Sequence, residues 1–456
     1  MTNNGPNDLI GNSGKLAFVL NHVYSEPTGV VMKKFTVVMF VVFWFAGGLS
    51  AENWPQWRGP KLNSLSSETN LPRSFKDDNR LWRIELPGPG GASPVVWQEK
   101  IFVATVDGKD LALMCVSTDG QIEWKKKLEG KNARIRMDNG NSASCSPVTD
   151  GKHVWVMLAD GILHCFSVDG DLKWKKNMQD EYGKFVIQFG MTSTPLLDNG
   201  KLYFQFIHGS MRNKQPSQGK LIALDASSGD EVWVHERDTP AVAENKHAYT
   251  TPTIFRNGSK EFLVVHGADY ATGHSLKDGT ELWRVGGFNP EETYNNFLRF
   301  VSSPVCTDSL IVIPSAKNGP VIGLSPDAKG KIEDQGDAVV WKMAKGTPDV
   351  ATPVVSGSRV YLARENGVFI CVDAESGEMQ FEERLLRDRH RSTPVVADGV
   401  IYLIGRDGSA CVLADSTEYK LISKTDLGED TTASPAISNG RIYIRTNESL
   451  MAFGKK

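Results

Sequence analysis

The chain has 456 residues, with 51 Lys and Arg against 54 Asp and Glu and a formal net charge of −3, a balance that offers nothing to a polyanion such as nucleic acid. With 40% hydrophobic residues, 43 Gly and 22 Pro, the composition excludes a disordered chain and favours a turn-rich, all-β one.

In chain order, residues 1–31 read as an upstream extension before the true start. Met32-Lys33-Lys34 then forms a basic n-region, the eleven apolar residues FTVVMFVVFWF from Phe35 to Phe45 an h-region, and AGGLSA a small-residue stretch ending at Ala51. A span needs roughly 20 apolar residues, so 32–51 is expected to be a signal peptide cleaved after Ala51, leaving no transmembrane segment. The mature protein is then exported, periplasmic or extracellular. Residues 52–80 form a lead-in, and 81–456 the main domain.

Six cysteines in an exported chain raise the question of disulfides. Cys115, Cys165, Cys371 and Cys411 sit inside apolar strand-like runs (LMCV, LHCF, FICV, SACV), there is no CxxC, and the expected role is that of a small buried hydrophobe.

From residue 81 onward the chain is a repeat. LMCVSTDGQIEWKKKL (Leu113 to Leu128) and LHCFSVDGDLKWKKNM (Leu163 to Met178) align residue for residue. Eight units each begin with a Ser- or Thr-Pro step, at Pro94, Pro147, Pro195, Pro252, Pro304, Pro353, Pro394 and Pro435, 41 to 57 residues apart. After the Pro come an apolar pair, a polar turn, a β-rich run such as KIFVATV, a second turn that is often Asp-Gly or Asn-Gly, a third run, and a fourth opened by Trp. Trp124, Trp174, Trp233, Trp283 and Trp341 hold that place in units one to five and Phe381 in unit six. Unit eight ends at Phe453 without a fourth run, while LWRIEL, with Trp82, stands alone before unit one. This pattern predicts an eight-bladed β-propeller of four-stranded antiparallel blades, its ring closed by strand 81–86.

The clearest unit, ALDASSGDEVW, carries Ala223, Asp225, Gly229 and Trp233 in the A-x-D-x-x-[TS]-G-x-x-x-W pattern, and in this it resembles the pyrroloquinoline-quinone-like (PQQ-like) propeller repeats over essentially all of 81–453. At these positions Gly meets the backbone demand of a tight turn, Asp caps turn amides, and the aromatics Trp82, Trp124, Trp174, Trp233, Trp283, Trp341 and Phe381 are expected to wedge between blades.

Function is expected where repetition stops, in the loops that precede each Ser/Thr-Pro and converge on the channel mouth. The candidates for ligand binding there are Arg136, Asn141, Gln188, His247, Tyr249, Asn295, Asn296, Arg299, Asp349, Arg389 and Arg391, a set suited to an anionic or conjugated ligand. No catalytic or metal-ligating constellation is legible: there is no HExxH, no phosphate-binding Gly-rich motif, and the nine His residues lack ligand spacing.

The resemblance implies one of two functions. One is a non-catalytic binding or scaffold propeller with a protein partner or a small ligand at its channel, like the propeller subunit of the outer-membrane β-barrel assembly machinery. The alternative is a quinoprotein alcohol or sugar dehydrogenase that holds PQQ and Ca²⁺ in the channel, to which NWPQWRGP (Asn53 to Pro60) has a passing likeness. Such enzymes use an adjacent Cys-Cys disulfide, absent here, and a Ca²⁺ site needs six or more oxygens, for which Asn141, Asn295 and Asp349 are unconnected candidates. The expectation is therefore a scaffold without cofactor.

Overall fold

The computed structural model describes residues 52–131, 141–213, 215, 217–332 and 336–455. The signal segment 32–51 and the candidate Arg136 lie outside the described residues.

Each repeat unit folds as an antiparallel meander whose strands run outward from the channel. In the first, the strands are Val95–Trp97, Lys100–Asp107, Asp110–Ser117 and Ile122–Lys127. The middle two are buried along almost their whole length, since neighbouring blades cover both their faces, which is why they read as continuous apolar runs. The outer strand alternates between exposed and half-buried positions and carries the lysines. Eight such sheets follow one another (blades 1 to 8 below), and the last takes its outer strand from the other end of the chain. Arg80–Glu85 pairs antiparallel with Ser449–Gly454, with Trp82 opposite Ala452. The ring therefore closes as the sequence predicts.

One blade departs from the rule. The sheet of blade 4, built on residues 253–285, gains a fifth strand, Gly330–Ile332, which pairs in parallel with Trp283–Val285. It comes from an excursion of blade 5, between its strands Val321–Leu324 and Val339–Met343, that replaces the usual Gly turn.

The Trp and Gly of the repeat act on each other across blades. Nε1 of Trp82 donates to the carbonyl of Thr118, that of Trp124 to Val168, that of Trp233 to Leu276 and that of Trp341 to Ala374, at 2.7 to 3.2 Å, each acceptor lying in the third turn of the next blade. The indole lies on the glycine of that turn. At Gly377, with φ +71, a Cβ would fall 2.9 Å from the Trp341 ring, so conformation and space both demand glycine there. Phe381 meets the Tyr419 ring edge-on at 5.7 Å instead. Trp283 faces the excursion rather than a Gly turn; it packs in one cluster with Ala328 and Ile332, and its buried Nε1 finds no protein acceptor among the described residues.

The Ser or Thr before each repeat proline closes a second circle. The backbone N–H of Ser93 donates to Oγ of Ser146, Ser146 to Thr194, Thr194 to Thr251, Thr251 to Ser303, Ser303 to Thr352, Thr352 to Thr393, Thr393 to Ser434, and Ser434 back to Ser93, all at 2.9 to 3.2 Å. The requirement for a hydroxyl at this position thus follows from satisfying a buried amide of the preceding blade. Thr352→Val, nearly isosteric, is expected to lower stability by about 1–3 kcal/mol by orphaning the Ser303 amide, while Thr352→Ser stays close to wild type; denaturant midpoints measure both.

Candidate functional site

The channel contains a cavity of about 180 Å³. Its lower tier is the hydroxyl circle, of which Ser93, Ser146, Thr194, Thr251, Thr393 and Ser434 face the space. The upper tier consists of the residues three before each repeat proline: Gly91, Ser144, Thr192, Tyr249, Val301, Val350, Arg391 and Thr432. Because one backbone pattern repeats eight times, the same two offsets point at the axis in every blade.

The lead-in supplies the floor. Trp54 bridges to Val96 and Gln56 exchanges hydrogen bonds with the backbone of Leu197, both two residues beyond a repeat proline and so at the other end of the inner strands. Between them Trp57 enters the channel, its Nε1 donating to Oγ of Ser434 at 3.2 Å. Arg58 (φ +70) places its guanidinium 4.7 Å from the centre of the Trp57 ring and donates to the carbonyls of Pro304 and Pro252. It is only 2% exposed, and burial holds its pKa down to about 10.

Two arginines border the cavity, each with a carboxylate. Arg299 donates to Glu244 at 3.2 Å and lies 5.1 Å from the centre of the Phe189 ring. Arg391 donates to Glu365 at 3.2 Å, and burial lowers its pKa in spite of that partner. Phe189, Tyr249, Val301 and Val350 make one part of the wall apolar, while Ser144, Thr192 and Thr432 make another part hydroxylic.

Of the residues that the sequence nominates, Tyr249, Arg299 and Arg391 border the cavity. The rest of the described set is spent on building the loops. Asn141 accepts from the amide of Ala143 and the hydroxyl of Ser144. Gln188 reaches the Met211 sulfur. His247 is buried, its Nε2 2.9 Å from the Gly209 carbonyl, and burial lowers its pKa. The Asn295 carbonyl accepts from Asn245 and Asn289, and that of Asn296 from the amide of Glu244. Asp349 accepts from the Lys317 amide, with a pKa raised by burial. Arg389 is half-exposed, 3.9 Å from Glu365. The calcium candidates Asn141, Asn295 and Asp349 are thus each engaged in separate loops, and among the described residues no three His, Cys, Asp or Glu side chains come together around a common point. PQQ with Ca²⁺ does not fit this donor set.

Sequence reasoning passed over the floor, the hydroxyl circle, Phe189 and Glu365. The offsets of one and three residues from each repeat proline were there to be read; Trp57 and Arg58 had no repeat to mark them. Cys115, Cys165, Cys371 and Cys411 are buried in their strands as expected; Cys145 is buried as well, and Cys306 partly so.

The repeat signature, the eight blades and the Trp–Gly contacts define a PQQ-like repeat propeller. A family profile described as "Outer membrane protein assembly factor BamB" matches residues 73–258 and 330–452, more than half of the chain, and the protein belongs to that family. The curated relatives include the outer membrane protein assembly factor BamB of Yersinia pestis, 24% identical over 248 residues, and that of Moranella endobia, 24% identical over 253 residues. The matches span 50% and 52% of this chain but only 56% and 60% of those proteins. Among solved structures, BamB from Moraxella catarrhalis superimposes with a TM-score of 0.58 at 14% identity, covering 82% of this chain and 97% of that one. A europium-containing methanol dehydrogenase gives 0.66 at 10% identity, covering 87% and 90%. The quinohemoprotein alcohol dehydrogenase of Comamonas testosteroni gives 0.63 at 13%, covering 89% and 81%. At these identities the structural likenesses establish the fold alone. Among the described residues no helix is long and apolar enough to cross a membrane.

Proposed function

We propose that this protein is an exported, non-catalytic scaffold that docks a protein partner through the loops of blades 3 to 5, as an assembly factor would. The observation that carries the reading is a set of loop connections tied to one another by hydrogen bonds. The Gly209 amide donates to Val186, Lys246 donates to the carbonyls of Ser210 and Asn213, Asn245 holds the Asn295 carbonyl and the Leu298 amide, and Tyr294 donates to buried Asp269. This braid presents Val186, Met211 and Phe297 at 49%, 41% and 63% exposure. Apolar side chains held out on a well-bonded frame suit recognition, since little ordering is needed when a partner binds. Family membership supports the same reading, and the basic-then-apolar segment 32–51 supports export.

A photo-crosslinking amino acid in place of Phe297, in the native host, is expected to capture one discrete partner, and the same group in place of Leu421 on the outer strand of blade 7 to capture none. Identical crosslinking from both positions, or none from either, contradicts the reading.

A further inference from the structure

We propose that the channel cavity is a metal-independent site for a small organic carboxylate of about single-ring size. It is separate from the docking surface, and each stands or falls without the other.

The donor inventory points to an anion. Every Oγ of the hydroxyl circle already accepts a backbone N–H, and that of Ser434 accepts the Trp57 indole as well. A hydroxyl used as an acceptor still has its own proton to give, and among the described residues none of the eight gives it to a protein acceptor. Six of them face the cavity. Stacked on Trp57 is the buried Arg58, whose guanidinium is held by two carbonyls and has no carboxylate partner among the described residues. Its Nε has no hydrogen-bond partner among the described residues. Trp57, not Arg58, lines the cavity, so the guanidinium acts through space: a buried cation without a counter-ion is costly, and a carboxylate held by the hydroxyls beside Trp57 offsets part of that cost.

Size and wall chemistry narrow the class. The cavity is close to the ~150 Å³ that accommodates a benzene ring, and it is small for a tricyclic quinone. Phe189, Tyr249, Val301 and Val350 offer apolar contact that inorganic phosphate cannot use. The carboxylates at hand, Glu365 and Glu244, are paired with Arg391 and Arg299, so a divalent cation finds no open ligand set among the described residues.

The test is calorimetric titration of the full chain with sodium benzoate, benzyl alcohol, inorganic phosphate and calcium chloride. Benzoate is expected to bind saturably at one site without metal, and benzyl alcohol and phosphate at least about tenfold more weakly. Arg58→Met, which removes the through-space cation, should weaken benzoate binding about threefold and Arg58→Lys much less. Should Arg58→Met fail to fold, Thr432→Val decides: this upper-tier side chain lines the cavity and makes no hydrogen bond to the protein among the described residues, so the fold should persist while benzoate binding weakens about threefold. Absence of saturable benzoate binding, equal affinity for benzyl alcohol or phosphate, a requirement for calcium, or an unchanged affinity in a folded Thr432→Val protein would each overturn the proposal.

Discussion

Trp341→Ala is expected to lower the free energy of unfolding by about 3–5 kcal/mol, the range for truncating a large buried aromatic. The side chain is 6% exposed, donates to Ala374 across the blade interface, and lies on both Gly377 of the next blade and Gly323 of its own, where an added Cβ would fall within 3 Å of the ring. Its loss leaves an interface cavity that rigid sheets on either side cannot collapse into. Gly377→Ala alone should cost about 2 kcal/mol, from a left-handed φ combined with the clash against the indole. The two changes should not add. With Trp341 gone only the conformational part of the Gly377→Ala cost remains, so a double-mutant cycle in urea should give a coupling of about 1 kcal/mol. Additive costs would show that indole and glycine do not work as a pair. Trp124→Ala, at a half-buried position with the same bonding, should cost less.

The second large effect lies at the ring closure. Glu429 is 9% exposed and accepts from the hydroxyls of Ser449 and Thr446 and from Arg83, which is on the strand contributed by the chain's other end. One carboxylate therefore ties the blade 7–8 connection, the C-terminal hairpin and strand Arg80–Glu85 together. Glu429→Ala should cost about 3 kcal/mol, toward the low side for a buried ion pair because Arg83 can turn to water. Burial pushes the carboxyl pKa up, but the hydrogen bonds from Ser449, Thr446 and Arg83 outweigh it and the net shift is downward. A folded-state pKa below the unfolded one means that the contribution is complete above about pH 4.3 and is lost as pH falls through the folded value. Wild type should therefore lose its advantage over Glu429→Gln on acidification below that point, as thermal midpoints between neutral pH and pH 3 would reveal. A difference that persists unchanged to pH 3 would mean that the latch is not electrostatic.

The fold was legible because its demands recur. The Ser/Thr-Pro step answers a requirement that all eight blades share, and Asp-Gly and Trp recur in most of them, so a repeated signal rises above local ambiguity, and the isolated Trp82 strand with its missing counterpart after Phe453 revealed the closure. The excursion that adds Gly330–Ile332 to blade 4 was not legible, since it belongs to one unit and pairs with another. The channel was half legible. Polar residues in non-repeating loops mark the right end of the propeller, but nothing in their identity distinguishes Arg299, which reaches the cavity, from Asn295, whose backbone the neighbouring asparagines hold. Trp57 and Arg58 stood out only within the NWPQWRGP likeness, and their place in the floor was not legible because it depends on a lead-in crossing the opposite ends of the inner strands, a path that only tertiary contacts reveal.

The most direct measurement of whether this propeller is a scaffold or an enzyme is alcohol-dependent dye reduction by the purified chain with PQQ and Ca²⁺ supplied together. A scaffold whose channel offers no calcium ligand set among the described residues should reduce dye no faster than buffer containing the same additions, whatever the alcohol or sugar. Turnover that requires the protein, the quinone and the metal, and that saturates with substrate, would contradict this account.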